Sequence, residues 1–147
     1  MEVERISRVL GVVYRHALGY MNAFAEELGM SALECIFLVA IFANEGINQE
    51  QLSTLLAIDK SATAKAMKSL EKNGFITREQ SRDDKRAKNV FSTMKSKQCR
   101  KFIVLKLQAY VDFTSTDIDV NDFAITLRTL ERIANKLVST PISSFPL

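Results

Sequence analysis

The stretch IDKSATAKAMKSLEKNGFITREQSRDDKRAK, Ile58 to Lys88, holds nine of the chain's twenty Lys and Arg residues. Asp59 stands as an N-cap before a helical pattern, Lys60 to Asn73, in which Thr63, Met67 and Leu70 form one inward stripe at spacings of four and three. Ser61, Ala62, Ala64, Lys65, Lys68 and Ser69 occupy the remaining faces, so one side is core and the other is small or basic. Asn73-Gly74 ends the helix with a pair that tolerates positive φ. Phe75 to Glu79 then reads as a short strand, Gln80 to Ala87 as a charged turn and Lys88 to Ser92 as the returning strand.

Immediately upstream, Asn48 to Leu56 carries a short helix with Leu52, Leu55 and Leu56 directed inward, joined through a tight connection at Ala57-Ile58. A short helix, a tight turn and a second helix with a small or basic outer face make a helix-turn-helix, whose second helix lies in the major groove of DNA. Small side chains there let the helix approach. A serine hydroxyl can exchange hydrogen bonds with base edges, alanine can meet a thymine methyl, and Lys65 and Lys68 can reach a guanine edge or a phosphate. The hairpin, with Arg82, Lys85, Arg86 and Lys88 at or beside its tip, is then a wing aimed at phosphates or a narrowed minor groove. Asp84 has a structural part in such a tip: its carboxylate accepts hydrogen bonds that fix the turn and aim Arg86. Any one lysine is explained by a solvated helix face; the combination of helix pair, Gly-terminated second helix and basic hairpin points to DNA.

The charge distribution agrees. Between Lys60 and Lys106 there are 14 Lys and Arg against four acids, Glu71, Glu79, Asp83 and Asp84, a balance of +10, whereas the rest of the chain carries −7 within a total of +3. Such asymmetry describes one face that meets a polyanion and another that does not.

Outside this centre the chain is helical. Val3, Ile6, Val9, Leu10, Val13, Ala17, Tyr20, Met21 and Phe24 follow the spacing of one helical face, ending near Gly29. Ser31 with Glu34 forms a capping box before the apolar run Cys35 to Phe42, a helix apolar nearly all round and therefore interior. Thr93 caps a long helix with Phe102, Ile103, Leu105, Leu107 and Tyr110 inward, ending near Phe113. After a polar break, Phe123, Leu127, Leu130, Ile133, Ala134 and Leu137 define a last amphipathic helix before the Pro141 to Leu147 tail, where two prolines forbid continuation.

Several function classes recede. The longest strongly apolar stretch is far shorter than the roughly 20 residues that cross a bilayer, and no leader is evident, so the chain is expected in the cytoplasm. Cys35 and Cys99 lack any metal or redox spacing and read as reduced thiols; Cys99, beside Arg100 and Lys101, is the better placed of the two for a sensing role. A single histidine, no Gly-rich phosphate loop and no nucleophile elbow leave no enzyme signature, and neither a cofactor nor a metal is called for. Asp117, Asp119 and Asp122 are explained by a polar connection with a capping Asp.

At these residues the chain resembles the MarR family of bacterial winged-helix transcription regulators. QEQLSTLLAIDKSATAKAMKSLEKNGFI has Leu52, Leu56, Leu70 and Gly74 at the family's spacing; SRDDKRAK matches its wing motif at Asp84 and Arg86; and Thr93 opens the following helix. Ser92 and Ser96 depart from the family's usual Leu and Gly around that threonine, and Ala62 and Ser69 from its frequent Thr and Arg. The resemblance implies a mainly α fold with a small β-hairpin, over a single unit 1–147. Its winged helix-turn-helix lobe spans about 31–93, and dimerisation helices span about 1–28 and 94–140. It implies a homodimeric repressor of a pseudo-palindromic double-stranded operator. Release by a small aromatic or phenolic ligand is also implied, with Tyr14, His16, Tyr20, Met21, Phe24, Cys35 and Phe37 as candidate lining. The competing expectation is a winged-helix module whose basic face meets an acidic protein; counterion release together with a large specific-to-non-specific ratio separates the two.

Overall fold

A computed structural model describes residues 2–145. Its elements are α1 (Glu2–Glu27), α2 (Ala32–Ala43), α3 (Gln49–Leu56), α4 (Lys60–Lys72), β1 (Ile76–Gln80), β2 (Lys88–Ser92), α5 (Met94–Ser115) and α6 (Val120–Val138), followed by one 3-10 turn at Ile142–Ser144. Pro141 precedes that turn, while Pro146 and Leu147 lie outside the described residues.

The boundaries have local causes. Ser31 and Glu34 close a reciprocal capping box on α2, Asn48 and Gln51 one on α3, and Thr93 and Ser96 one on α5, each satisfying two backbone N–H groups that a helix start leaves without partners. Asp59 caps α4 by accepting from the Ala62 N–H at 2.8 Å. Gly74 leaves α4 at φ 77, a conformation that a Cβ disfavours, and turns the chain into β1.

β1 and β2 pair antiparallel, with Ile76 opposite Ser92, Arg78 opposite Val90 and Gln80 opposite Lys88. The far edge of β2 is covered by the segment before α3: the Gly46 N–H donates to the Val90 carbonyl and the Val90 N–H to the Ile47 carbonyl, both at 2.9 Å. The hairpin is therefore stitched to the helix-turn-helix from behind.

One core lies among α2, α3, α4, the hairpin and the start of α5. Phe37, Leu38, Ile41, Leu52, Met67, Leu70, Val90 and Ile103 have no accessible surface, and Phe24 and Phe75 are nearly as deep. Two stripe assignments differ from the sequence expectation: Leu55 and Leu105 are exposed. Leu105 is two residues from both Ile103 and Leu107, about 200° around the helix from each, so it lies opposite the packed face. Leu55 flanks a stripe that α3, only eight residues long, completes with Leu52 and Leu56.

Candidate nucleic-acid interface

α4 keeps Thr63, Ala66, Met67 and Leu70 in the core. Ser61, Ala64, Lys65 and Lys68 project from the opposite side and are exposed, with Ala62 half-buried at the rim. Ser69 is different from the other candidates: it is half-buried, and its hydroxyl donates to the Glu34 carboxylate of α2. It helps seat α4 on α2. Burial pushes the Glu34 carboxyl up, but hydrogen bonds from the Ser31 backbone and from the Ser69 and Ser31 hydroxyls outweigh it, and the net direction is down.

The hairpin tip is held by its own side chains. The Ser81 hydroxyl accepts from the Asp83 and Asp84 N–H groups at 3.3 Å each, and Gln80 Nε2 donates to the Lys85 carbonyl at 2.6 Å. Asp84 Oδ1 accepts the Arg86 N–H at 2.8 Å, and the Ala87 N–H donates to the Asp84 carbonyl at 3.0 Å. Asp84 thus fixes the backbone that carries Arg86, and Arg82, Lys85, Arg86 and Lys88 are exposed.

Helix and wing flank one cleft. A cavity of about 530 Å³ is bounded by Asn48, Gln49, Glu50 and Ser53 of the first helix, Lys60 and Thr63 of the second, and Arg78, Asp84, Arg86, Ala87 and Lys88 of the hairpin. One ion pair lines it and a second holds its Arg78 wall, and no periodicity in the sequence announces either. Lys60 Nζ lies 2.8 Å from Glu50 Oε1, with both side chains largely in solvent. Arg78 clamps Glu71 near the end of α4 through Nε at 3.0 Å and also through its Nη2, which ties β1 to α4. The Arg78 guanidinium holds the Glu71 carboxyl below the usual range.

The turn between α3 and α4 is strained at one point. Ala57 has φ 52 in the left-handed region, and the Ser53 hydroxyl reaches across to the Ile58 carbonyl at 2.5 Å to close it. At the hairpin's exit, Ser92 and Ser96 are both built in. The Glu45 carboxylate accepts the Ser92 N–H at 2.9 Å and its hydroxyl, while Ser96 is fully buried in the α5 cap.

A family model for the MarR family matches residues 30–88, which contain both helices and the wing. Over that stretch the chain is similar to the MarR family. The HTH-type transcriptional regulator YybA of Bacillus subtilis is 32% identical over 93 residues, 63% of this chain and 62% of that one, so the match spans less than two thirds of either. Among solved structures, a MarR transcriptional regulator from Methanosarcina mazei Go1 superposes with a TM-score of 0.83 at 28% identity, covering 91% of this chain and 97% of the other. A MarR family regulator from Listeria monocytogenes, solved in complex with a 26mer DNA, gives a TM-score of 0.85 at 28% identity over 89% of this chain and 87% of its own. The architecture is that of a MarR winged helix.

The candidate ligand residues do not form one site. Phe24, Cys35 and Phe37 are buried in the core, Met21 packs against it, and Tyr14 is exposed. His16 and Tyr20 do share a groove, of about 530 Å³, between α1 and α5 with Val12, Arg15, Gly19, Ala109, Tyr110 and Phe113. Tyr20 stacks at 5.1 Å on Tyr110 and donates its hydroxyl to the Lys106 carbonyl at 3.1 Å. The sequence reading named only the α1 side of this groove; its α5 wall, from Ala109 to Phe113, follows from the packing of the two helices. Burial pushes the Cys35 thiol up to about 11, and Cys99 is half-buried. Among the described residues no group of three or more His, Cys, Asp or Glu could hold a metal, and no helix is long and apolar enough to cross a membrane.

Proposed function

We propose that this chain is a sequence-specific transcription regulator that binds double-stranded DNA as a homodimer, each subunit laying α4 in a major groove and its wing along the adjacent minor groove. The observation that carries the reading is the shared cleft: the start of α4 and the Arg86 tip bound the same cavity, so one lobe presents a groove reader and a phosphate clamp side by side. Lys65, Lys68 and the small residues Ser61 and Ala64 face outward as base or backbone contacts; Arg82, Lys85, Arg86 and Lys88 supply the salt-dependent part. The Listeria relative solved with DNA supports duplex DNA as the partner.

Dimerisation is supported by the apolar residues that α1 and α6 leave in solvent in the single chain, Val3, Ile6, Val9, Leu10 and Val13 on one and Leu127, Leu130, Ile133 and Leu137 on the other. Two lobes related by a twofold axis would then read an inverted repeat. The aromatic groove beside Arg15 and His16 supports a small aromatic or phenolic anion as the signal that releases a repressor.

Selection from a random duplex library at near-physiological salt tests the reading. An enriched inverted repeat with half-site centres about one helical turn, roughly 10 base pairs, apart is expected. A bound pool with no sequence preference would replace the regulator with a sequence-blind polyanion binder.

A further inference from the structure

The hairpin follows α4 after only three residues, Asn73 to Phe75, and Gly74 among them stands at φ 77. A ribbon of two strands is marginal by itself, so its direction is set by what its edges hold. Residues opposite one another in an antiparallel pair share a face, and the face shared with buried Val90 carries Ile76, Arg78 and Gln80 in turn on β1. Ile76 is buried, Arg78 is half-buried and Gln80 is exposed, as are all five residues from Arg82 to Arg86. Arg78 is therefore the last point at which the inner face of β1 is anchored.

The two edges are held by different means at the same level. Val90, opposite Arg78, exchanges backbone hydrogen bonds with Gly46 and Ile47, both at 2.9 Å, which binds the β2 edge to the segment ahead of α3. Held along that edge alone, the ribbon could still roll and tilt. The bonds from the Thr93 hydroxyl to the Gly74 and Phe75 carbonyls lie at its root, where they give little leverage over the tip. On the β1 edge, Arg78 Nε at 3.0 Å and Nη2 converge on Oε2 of Glu71, which follows fully buried Leu70 in α4. This bridge spans the Gly74 turn as a strut. Its side chains are 21% and 39% exposed, so water screens it less than a surface pair, and the planar guanidinium fixes direction as well as distance.

We infer that Arg78 is a positioning residue for the wing: braced by Glu71, it stops the hairpin moving about its β2 edge and holds Arg86 at a fixed distance from α4; the inference rests on the DNA-binding reading above. A tilt of about 10° at Val90 displaces a tip about 14 Å away, four strand residues on, by roughly 2 Å, enough to break a hydrogen bond. With the strut in place the lobe meets DNA with helix and wing already in register, and the contact at Arg86 costs little further ordering. Without it, Arg86 keeps its charge but not its place. The strut stays made in the free and the bound protein alike, so what it contributes to the complex is not offset by its own loss.

The test is a double-mutant cycle of Glu71→Ala and Arg86→Ala, read as affinity for the library-enriched duplex at near-physiological salt, with thermal melts showing each variant folded at the assay temperature. Glu71→Ala removes an acid from the lobe and frees a cation, so charge alone predicts tighter binding. The strut predicts the opposite, a loss of roughly three- to tenfold, because the wing must then be ordered on each duplex. In the Arg86→Ala background the loss caused by Glu71→Ala should shrink to under about twofold, since the contact it positions is gone. Arg78→Lys, which keeps the cleft's charge and gives up the planar fork, should repeat the pattern at smaller size and carries the test if Glu71→Ala does not fold. Unchanged or tighter binding by Glu71→Ala alone, or a loss as large in the Arg86→Ala background, would overturn the inference with the DNA reading intact. A wild-type protein that binds the enriched and a scrambled duplex alike would overturn the DNA reading itself, an outcome visible in that arm alone.

Discussion

The winged-helix lobe and the terminal helices are built from equally regular amphipathic patterns, yet only one of the two is finished within a single chain. In the lobe the stripes of α2, α3 and α4 meet each other, and Phe37, Leu38, Leu52, Met67 and Leu70 lose all contact with solvent. α6 carries as clean a stripe, but none of its residues is buried: Leu127, Leu130, Ile133 and Leu137 stay 43–50% exposed. Periodicity establishes that a face wants covering and says nothing of whether the cover comes from the same molecule. A completed core beside an uncovered apolar helix separates a lobe that folds on itself from a helix whose stripe the single chain leaves open.

The sharpest way to break this contrast is to charge the uncovered stripe. Replacing Leu130 and Ile133 with Glu should shift the sedimenting species from dimer to monomer. It should also weaken operator binding by more than roughly a hundredfold, since each buried Leu or Ile contributes about 1.5–3 kcal/mol to such an interface. Leu55→Glu, an equally exposed leucine on the lobe, should leave the assembly unchanged. If the α6 variant remains a dimer, the helix has a different role. Within the lobe, Leu70→Ala should lower stability by about 2–5 kcal/mol in denaturant titration, because the site is closed on all sides and relaxes poorly. A loss under about 1 kcal/mol would mean the lobe core is looser than its burial indicates.

Arg86→Ala should weaken binding to most duplexes alike and flatten the salt slope by about 0.9 per lobe, with folding unaffected, since the wing turn is held through the Arg86 backbone. An unchanged slope removes the wing from phosphate contact. At Ala57, substitution by Gly should stabilise the lobe by up to about 1 kcal/mol, as relief of the left-handed alanine exceeds the added freedom of the unfolded chain; a loss of stability would show that the methyl group packs.

The smallest effect is on pH. The folded-state values of Glu34 and Glu71 are both lowered from an ordinary 4.5, so their contribution is complete above that value and disappears as pH falls through the lower folded values. Thermal melts should therefore show a modest decline confined to the acid side of pH 4.5. In Glu71→Gln that decline should be smaller.

Much of the lobe was legible because its punctuation is local. Ser31 with Glu34, Asp59, Asn73-Gly74 and Thr93 each act within three or four residues, and the helices begin and end where those signals stand. The Asn48 and Gln51 capping box carried the same signal and was open to the same reading. What stayed hidden depends on residues distant in sequence. The Glu45 carboxylate meets Ser92 across 47 positions, Lys60 meets Glu50 across ten, and the α1 groove acquires its second wall only when α5 packs beside it. Aromatic character drew Phe24 and Phe37 into the candidate ligand site, but in this fold those rings sit in the core.

The stoichiometry of the complex on the enriched duplex tests the central claim most directly. With protein titrated onto a duplex carrying one inverted repeat and the complex weighed by native mass spectrometry, two copies of the 16.5 kDa chain per duplex are expected, with no accumulation of a one-copy species. A stable complex of one chain on one half-site would contradict it, because the lobe would then read DNA without a second chain on its terminal helices.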